Sequence, residues 1–441
     1  MARERTLAHR TTGMPLDTLK VSVVAGPDAG RTFVATSDSI SVGSADGNDL
    51  VLSDATVSRY HVELRVKNDR ISVLDHGSTN GTSFGPVLIE RGSVAPGTTI
   101  TLGRTQLSVV RGETAEVDVY PVEQLGRLRG RAPVMLRLMA KLERSAQSDA
   151  SILLLGETGT GKEVIAHAIH DVSPRKSRPF ETVDCGSLMP TLIASELFGH
   201  EKGAFTGADR QHVGAFERAD GGTLFLDELG ELPSSLQPAL LGALERRSFR
   251  RVGGTKPISV DVRLISATHR DLREEVNAGR FRQDLYYRIG VVLLEIPSLR
   301  ERPEDIPMLI EHFLKEASFE GDISAVVPEA AMEQLKRHRW PGNVRELRNF
   351  VDAALALGEA PRLGERESEA PSKPVTTEVS GAALLLDKPY SDAKSALLEG
   401  FEVQYLRHLL EVTNDNISAA ARHAKMNRSY LLELLKKHGI R

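Results

Sequence analysis

The sequence predicts a multidomain chain of three fold classes in succession: an all-β sandwich, an α/β domain closed by a helical lid, and a small all-α module. Three observations carry this. From about Leu19 to Arg111 apolar residues come in short β-branched runs separated by Gly, Asp and Asn. From Ser151 to Ala267 apolar strands alternate with amphipathic helices, the pattern of a parallel sheet covered by helices. Beyond Ile306 only helical spacing remains. At 441 residues the chain is also too long for one core.

Taken in order, residues 1–18 are polar, carry Arg3, Arg5 and Arg10, and read as a disordered N-terminus without the apolar stretch of a secretory signal. No apolar run reaches the length of about 18 residues that a membrane span needs, so a cytoplasmic protein is expected. The single cysteine, Cys185, excludes internal disulfides and a cysteine-based metal cluster and reads as a buried packing residue. Residues 19–112 form the sandwich, with strands expected at Val21–Val24, Thr32–Ala35, Ile40–Val42, His61–Val66, Ile71–Leu74 and Thr105–Val110. Residues 113–128 read as a linker, 129–300 as the α/β domain and 301–358 as the lid. Residues 359–390 begin rich in Pro, Glu, Ser and Lys and read as a flexible linker. In the last module, 391–441, Leu397, Phe401, Tyr405 and Leu409 recur every four residues and give one apolar helix face, read as a dimer contact.

The chemistry is concentrated in the α/β region. The apolar strand Ile152–Leu155 runs into Gly156, Glu157, Thr158, Gly159, Thr160, Gly161 and Lys162, and a helix with Val164, Ile165, Ala168 and Ile169 on one face follows. Glycines allow backbone N–H groups to curl around phosphate oxygens, the helix N-terminus favours negative charge, and Lys162 reaches the outer phosphates. Glu163 stands where a generic P-loop places a hydroxyl on Mg2+, so the metal shell must be built otherwise. A second apolar strand, Leu224–Leu226, delivers Asp227 and Glu228, one to hold Mg2+ and the next to polarise water. A glycine turn or an acid-ended strand alone is unremarkable; the two together predict an ATPase using ATP and Mg2+.

The string Gly203-Ala204-Phe205-Thr206-Gly207-Ala208 places an aromatic residue and a threonine between glycines, which suits an exposed, mobile tip. It resembles the sigma-54-contacting loop of bacterial enhancer-binding proteins, a family of AAA+ ATPases that activate sigma-54 RNA polymerase. The resemblance spans roughly Pro121 to Gly358. Arg251-Val-Gly-Gly254 resembles the family's second surface loop, and Thr268 and His269 its sensor I, with His269 where Asn is frequent. Arg282 and Arg288 lie in a segment similar to that carrying the two trans-acting arginines, which implies contact with the γ-phosphate bound by a neighbouring subunit. Arg345, in Trp340-Pro-Gly-Asn-Val-Arg345, resembles sensor II and implies nucleotide contact from the lid. Asp184 stands where the family often has Asn; beside Glu228 it would pair two acids, one of them carrying a proton.

In the sandwich, Val42-Gly43-Ser44, Asp49–Asp54, Val57-Ser58-Arg59-Tyr60-His61 and Gly77-Ser-Thr79-Asn80-Gly81-Thr82 resemble a forkhead-associated (FHA) domain. The resemblance implies that Ser58 and Arg59 meet the phosphate of a phosphothreonine peptide while Thr79 and Asn80 hold its backbone; His61 reads as structural. Ser44 replaces the family's arginine, so a docking module that does not read phosphate is the alternative.

From Asn416 on, six Lys/Arg face the single acid Glu433, a local charge of +5 on a chain of net charge −4. Asn416–His423 reads as a helix with Asn416 as N-cap, and Arg428–His438 as a second helix, similar to the Fis-type helix-turn-helix. The resemblance implies that Asn427, Arg428, Ser429 and Tyr430 face bases or adjacent phosphates and that Lys436 and Lys437 meet phosphates. The expected function is a sigma-54-dependent transcription activator that binds upstream DNA, assembles as a dimer and then a ring, and couples ATP hydrolysis to promoter remodelling. The sandwich would be its input from Ser/Thr phosphorylation or from a protein partner. The alternatives are an AAA+ ATPase acting on another protein, and a binding regulator with a dead nucleotide site.

Overall fold

A computed structural model describes residues 12–358 apart from 68, 187 and 188, residue 361, and, near the C-terminus, 402, 405, 406, 409, 410, 413, 416–424, 426 and 428–438. The chain divides into two compact units, 1–362 and 363–441.

The N-terminal part of the first unit is a two-sheet sandwich. Its strands are β1 (Thr12–Ala25), β2 (Thr32–Val34), β3 (Ser39–Gly43), β4 (Leu50–Val51), β5 (Val62–Lys67), β6 (Arg70–Asp75), β7 (Thr82–Phe84), β8 (Val87–Leu88), β9 (Arg91–Val94), β10 (Thr98–Leu102) and β11 (Thr105–Val119). One sheet has the order β2-β1-β11-β10-β7-β8 and the other β4-β3-β5-β6-β9. Alternation does the work expected of it: Leu19, Val21 and Val23 on β1 meet Ile40, Val42, Val62, Leu64, Ile71, Val73, Leu107 and Val109 in one core.

Two boundaries differ from the sequence reading. Thr12–Asp17 are strand, and β11 continues to Val119 into the expected linker, because Thr12 to Asp17 pair antiparallel with Val119 to Thr114. One face of this ribbon carries Met14, Leu16, Ala115 and Val117, which are only half-buried. Its pairing comes from main-chain bonds and from packing on the first helix, where Tyr120 N donates to Leu136 O. The rest of the linker holds the hairpin β12 (Gln124–Leu125) and β13 (Leu128–Arg129).

The α/β domain follows: α1 (Pro133–Ala146), β14 (Ile152–Leu155), α2 (Lys162–Asp171), β15 (Phe180–Asp184), α3 (Pro190–Phe198), α4 (Ala215–Arg218), β16 (Thr223–Asp227), α5 (Gln237–Arg246), β17 (Ser248–Phe249), β18 (Ile258–Ser259), β19 (Arg263–Thr268), α6 (Leu272–Asn277), α7 (Gln283–Ile289) and β20 (Val292–Glu295). Five strands form a parallel sheet in the order β15-β16-β19-β14-β20. Both faces are covered, which is why the strands read as unbroken apolar runs. Leu154 and Phe225 point to the side of α1 and α2, and Leu153, Leu224 and Leu226 to the side of α3, α5 and α7. All five C-terminal strand ends share one edge, where open α/β sheets bind ligands. Cys185 is buried there as expected, and burial pushes its thiol up to about 12.

The lid comprises α8 (Asp305–Glu316), α9 (Ile323–Val326), α10 (Glu329–Arg337) and α11 (Asn343–Leu357). Its anchor, Trp340, is fully buried and donates its indole N–H to Leu335 O at 2.8 Å.

The second unit packs Leu406, Leu409 and Leu410 against Ala420, Ala421, Leu431, Leu434 and Leu435. The helices Ile417–His423 and Arg428–Lys437 carry most of these residues. Asn416 caps the first: its side-chain oxygen accepts from Ala419 N at 3.1 Å. Leu409, read from spacing as part of a dimer contact, is buried in the module's own core, and Tyr405 packs against it. Leu397 and Phe401, the rest of that face, lie outside the described residues.

Candidate functional site

The turn from β14 into α2 curls as a phosphate cradle requires. Gly159 and Gly161 have φ of +80° and +100°, where a side chain is strained. Lys162 begins α2 and is buried, and its Nζ donates to Gly156 O at 3.1 Å and to Glu228 Oε1 at 3.3 Å. Thr160 is also buried, whereas Glu157, Thr158 and Glu163 are exposed.

β16 delivers Asp227 and Glu228 to the same edge. Glu228 has φ +48°, a left-handed conformation held by its surroundings. Its Oε2 accepts from His269 Nδ1 at 2.6 Å, just past the end of β19. Burial pushes the Glu228 carboxyl upward, but the His269 hydrogen bond and the Lys162 charge outweigh it and hold the group below its ordinary range. Two donors therefore grip this carboxylate. Asp184 Oδ1 accepts from Gly186 N at 2.8 Å in the turn after β15. Asp227 shifts the other way, raised by burial with the Glu228 charge adding to it.

The lid clamps the cradle, and this clamp escaped the sequence reading. Asn343 is fully buried at φ +52°. Its side chain donates to Thr158 O at 3.1 Å and Glu157 Oε2 at 3.2 Å and accepts from Leu299 N at 2.8 Å. Arg300 adds a two-pronged pair to Glu157. Val344 N and Arg345 N donate to Gly159 O, so Arg345 stands against the cradle. The signal was an Asn in a position needing positive φ, but its partners are more than 180 residues away.

The Gly203–Ala208 segment closes on itself through Gly203 N to Ala208 O and Ala208 N to Phe205 O. Gly203 and Gly207 have φ of +84° and +98°, Thr206 is exposed, and Phe205 is half-buried with its ring edge-on to His200 at 4.9 Å. Arg251 braces the base, bonding Glu201 at 2.9 Å and Glu217 at 2.6 and 2.8 Å. Gly253 fits so closely that a Cβ there would lie 2.8 Å from Ala204 Cβ.

Arg282 and Arg288 sit at opposite ends of α7, both exposed. Arg282 pairs with Asp284, and Arg288 donates to Leu244 O at 3.0 Å; neither bonds the cradle of its own chain.

The sandwich loops bring Ser58, Thr79 and Asn80 together: Thr79 N donates to Ser58 Oγ at 2.9 Å and Asn80 Nδ2 to Thr56 O at 2.8 Å. His61 is structural as expected, accepting from Ser58 N and facing Gly81 O. The unforeseen feature lies beside them. Tyr60 is fully buried in the core of the α/β domain, edge-on to Tyr286 at 5.2 Å. Asn277 Nδ2 donates to Tyr60 O at 2.6 Å and His76 O at 2.9 Å. Arg273 bonds Glu63 at 2.9 Å, and His76 bonds Asp271. The sandwich is thus docked on α6 and α7.

In the C-terminal module Lys436 and Lys437 are exposed, and Lys437 Nζ also bonds Glu402 at 3.3 Å. Arg428, Ser429 and Tyr430 open the second helix, and Asn427 lies outside the described residues. No helix among the described residues is long and apolar enough to cross a membrane.

Residues 128–295 match the model of the sigma-54 interaction domain, 300–368 that of the AAA+ ATPase lid domain, and 22–113 that of the cytoplasmic domain of an inner membrane component of the type III secretion system. The transcriptional regulatory protein ZraR of Salmonella typhimurium is 44% identical over 75% of this chain and 73% of its own. The response regulator PilR of Pseudomonas aeruginosa is 41% identical over 77% and 76%. The structure of NtrX from Brucella abortus in complex with ATP is similar at TM-score 0.50 and 36% identity, over 72% of this chain and 70% of that one. A structure of an FHA domain with phosphothreonine-dependent interactions is similar at 27% identity and TM-score 0.20, over 22% of this chain.

Proposed function

The chain belongs to the family of transcriptional regulators with a sigma-54-interacting AAA+ ATPase domain, and from that premise we propose how its residues divide the work. The observation that carries the proposal is the pairing of Lys162 with Glu228 at 3.3 Å across the strand ends. With Lys162 and His269 both on its carboxylate, Glu228 is a weak base. Phosphate oxygens in the cradle draw Lys162 away, and Glu228 then accepts a proton from the water that attacks the γ-phosphorus as the bond to the ADP oxygen breaks.

The donor set fits Mg2+. Asp227 is half-buried, and its anionic form is disfavoured until a cation arrives. Mg2+ takes one or two carboxylates and fills its shell with phosphate oxygens and water, so the Ser/Thr replaced by Glu163 is dispensable. When bound, Mg2+ neutralises charge on the transferred phosphoryl group. Arg282 and Arg288 act on the nucleotide of a neighbouring subunit in a ring, because they bond elsewhere in their own chain. Arg345 senses nucleotide from the lid.

The Phe205–Thr206 tip is the contact for sigma-54. Its glycine hinges and exposed threonine allow movement relative to the Arg251 brace. The sandwich reads a phosphothreonine peptide through Ser58, Arg59, Thr79 and Asn80, and the C-terminal module binds upstream DNA through Arg428, Ser429, Tyr430, Lys436 and Lys437, together with Asn427. The decisive experiment is Thr206→Ala assayed for ATP turnover and for binding of sigma-54. Turnover near wild type with sigma-54 binding lost is expected; unchanged binding would refute the contact.

A further inference from the structure

Arg59 and Arg282, one from the sandwich and one from the ATPase domain, line the same open cavity of about 440 Å3, with Gln283, Asp284 and Tyr287. We infer that this cavity is a composite phosphate site, in which Arg282 supplies the second guanidinium for a phosphothreonine peptide held at Arg59. The inference rests on the phosphopeptide reading of the sandwich and adds a residue from another domain, and with it a regulatory link.

The argument begins with charge. A phosphothreonine side chain carries nearly two negative charges and three acceptor oxygens, and one guanidinium satisfies only two of them. The sandwich loops around Ser58 and Thr79 offer little else. His61 is buried and bonded, His76 is committed to Asp271, and Arg104 is paired with Asp54. Arg59 is exposed, and its guanidinium has no hydrogen-bond or ion-pair partner among the described residues. The second cation lining the same space is Arg282.

The walls of the cavity are fixed. Arg59 O accepts from Asn48 Nδ2 at 2.7 Å and Ala45 N at 3.1 Å, and the next residue, Tyr60, is locked into the ATPase core. On the other side a Cβ at Gly47 would lie 2.6 Å from Tyr287 Cε1, so the sandwich loop and α7 are in contact. The opposing charge is Asp284, which pairs with Arg282 at 2.7 Å; both side chains are about half exposed, so this pair opens at little cost. A phosphate exchanging with Asp284 captures Arg282 within its own chain. Arg282 cannot then reach a neighbour's nucleotide, so peptide binding and trans action by this arginine exclude each other. Arg288, at the far end of α7 and bonded to Leu244 O, does not line the cavity.

The test is a fluorescence anisotropy titration of the full chain with a degenerate phosphothreonine peptide pool and its unphosphorylated counterpart. Wild type is expected to prefer the phosphorylated pool, and Arg59→Ala to lose that preference. Arg282→Ala should weaken phosphopeptide binding about tenfold, the worth of a charge-assisted contact, with Arg288→Ala unchanged. Arg282→Lys, which keeps the charge without the fork, should fall between. Saturating phosphopeptide should slow ATP turnover of the wild type. Wild-type affinity in Arg282→Ala with phosphate preference intact overturns the composite site and leaves the phosphopeptide reading standing. No preference for phosphate in the wild type overturns both, and unchanged turnover under saturating peptide overturns the exclusion.

Discussion

Replacing His269 by alanine tests whether Glu228 is the proton acceptor and His269 its holder. In the wild type Glu228 Oε2 accepts from the imidazole at 2.6 Å, and this bond, with the Lys162 charge, depresses the carboxyl against the upward push of burial. Deleting the ring leaves the burial opposed by Lys162 at 3.3 Å and by the backbone N–H of residue 269 at 3.4 Å. A hydrogen bond to a charged group contributes about 1.5–3 kcal/mol. Both partners are partly exposed, at 42% and 22%, so the lower end, about 1.5 kcal/mol, is the appropriate figure. Activity requires the carboxylate, so the acid limb of the kcat/KM profile for ATP hydrolysis should move to higher pH, with the plateau above neutrality kept within a few-fold. The stability effect has a matching sign. A depressed carboxyl contributes stability above its unfolded value and loses it as pH falls through the folded one. The wild type should therefore be the more stable at neutral pH, by a margin that closes on acidification through the carboxylate range. A uniform loss of activity at every pH, with the acid limb in place, would refute the reasoning and make His269 a nucleotide contact instead.

Three further changes probe other parts of the machine. Asn343→Ala removes two hydrogen bonds from lid to cradle and a third from Leu299 N, and should cost about 2–3 kcal/mol, read as a lower Tm and weaker nucleotide binding; an unchanged Tm would mean the clamp is idle. Gly253→Ala puts a Cβ 2.8 Å from Ala204 at φ +74° and should displace the base of the finger, lowering sigma-54 binding at least tenfold while ATP turnover stays within a few-fold. Equal losses of both would show that the brace serves the nucleotide site. Leu431→Ala empties the centre of the C-terminal core and should cost about 2–5 kcal/mol, abolishing DNA binding in a gel-shift assay while turnover persists; retained DNA binding would refute the packing.

What was legible in the sequence is what neighbouring residues fix among themselves. Gly159, Gly161 and Lys162 form a cradle because their own backbone angles and the helix they start make one, and Asp227 and Glu228 reach the sheet edge because the apolar run before them is a buried strand. The same locality explains the capped helix at Asn416 and the two-glycine finger. Illegible were the contacts that exist only once separate parts meet. His269 holds Glu228 because β19 and β16 are adjacent in the sheet, an adjacency that no motif spells out. The docking of the sandwich is the extreme case. Asn277 and Tyr60 are 217 residues apart, and Arg273 and Glu63 are 210 apart.

The chemistry of that docking surface constrains what it is for. It is held by Arg273–Glu63, His76–Asp271, Arg65–Glu295 and Lys67–Glu301 around the single aromatic anchor Tyr60. Arg65–Glu295 and Lys67–Glu301 are exposed and add little, while Arg273–Glu63 and His76–Asp271 lie largely out of water, where a pair returns little net stability yet leaving one partner alone is costly. Such a surface fixes orientation more than it adds adhesion: it is unforgiving of misalignment and inexpensive to separate once water readmits the charges. An interface built mainly to stay closed would bury aliphatic area instead. Here the orientation it enforces sets Arg59 beside the α7 segment that carries Arg282. An event at the sandwich loops therefore acts directly on an arginine implicated in the nucleotide chemistry, with no need for a conformational relay through the sheet.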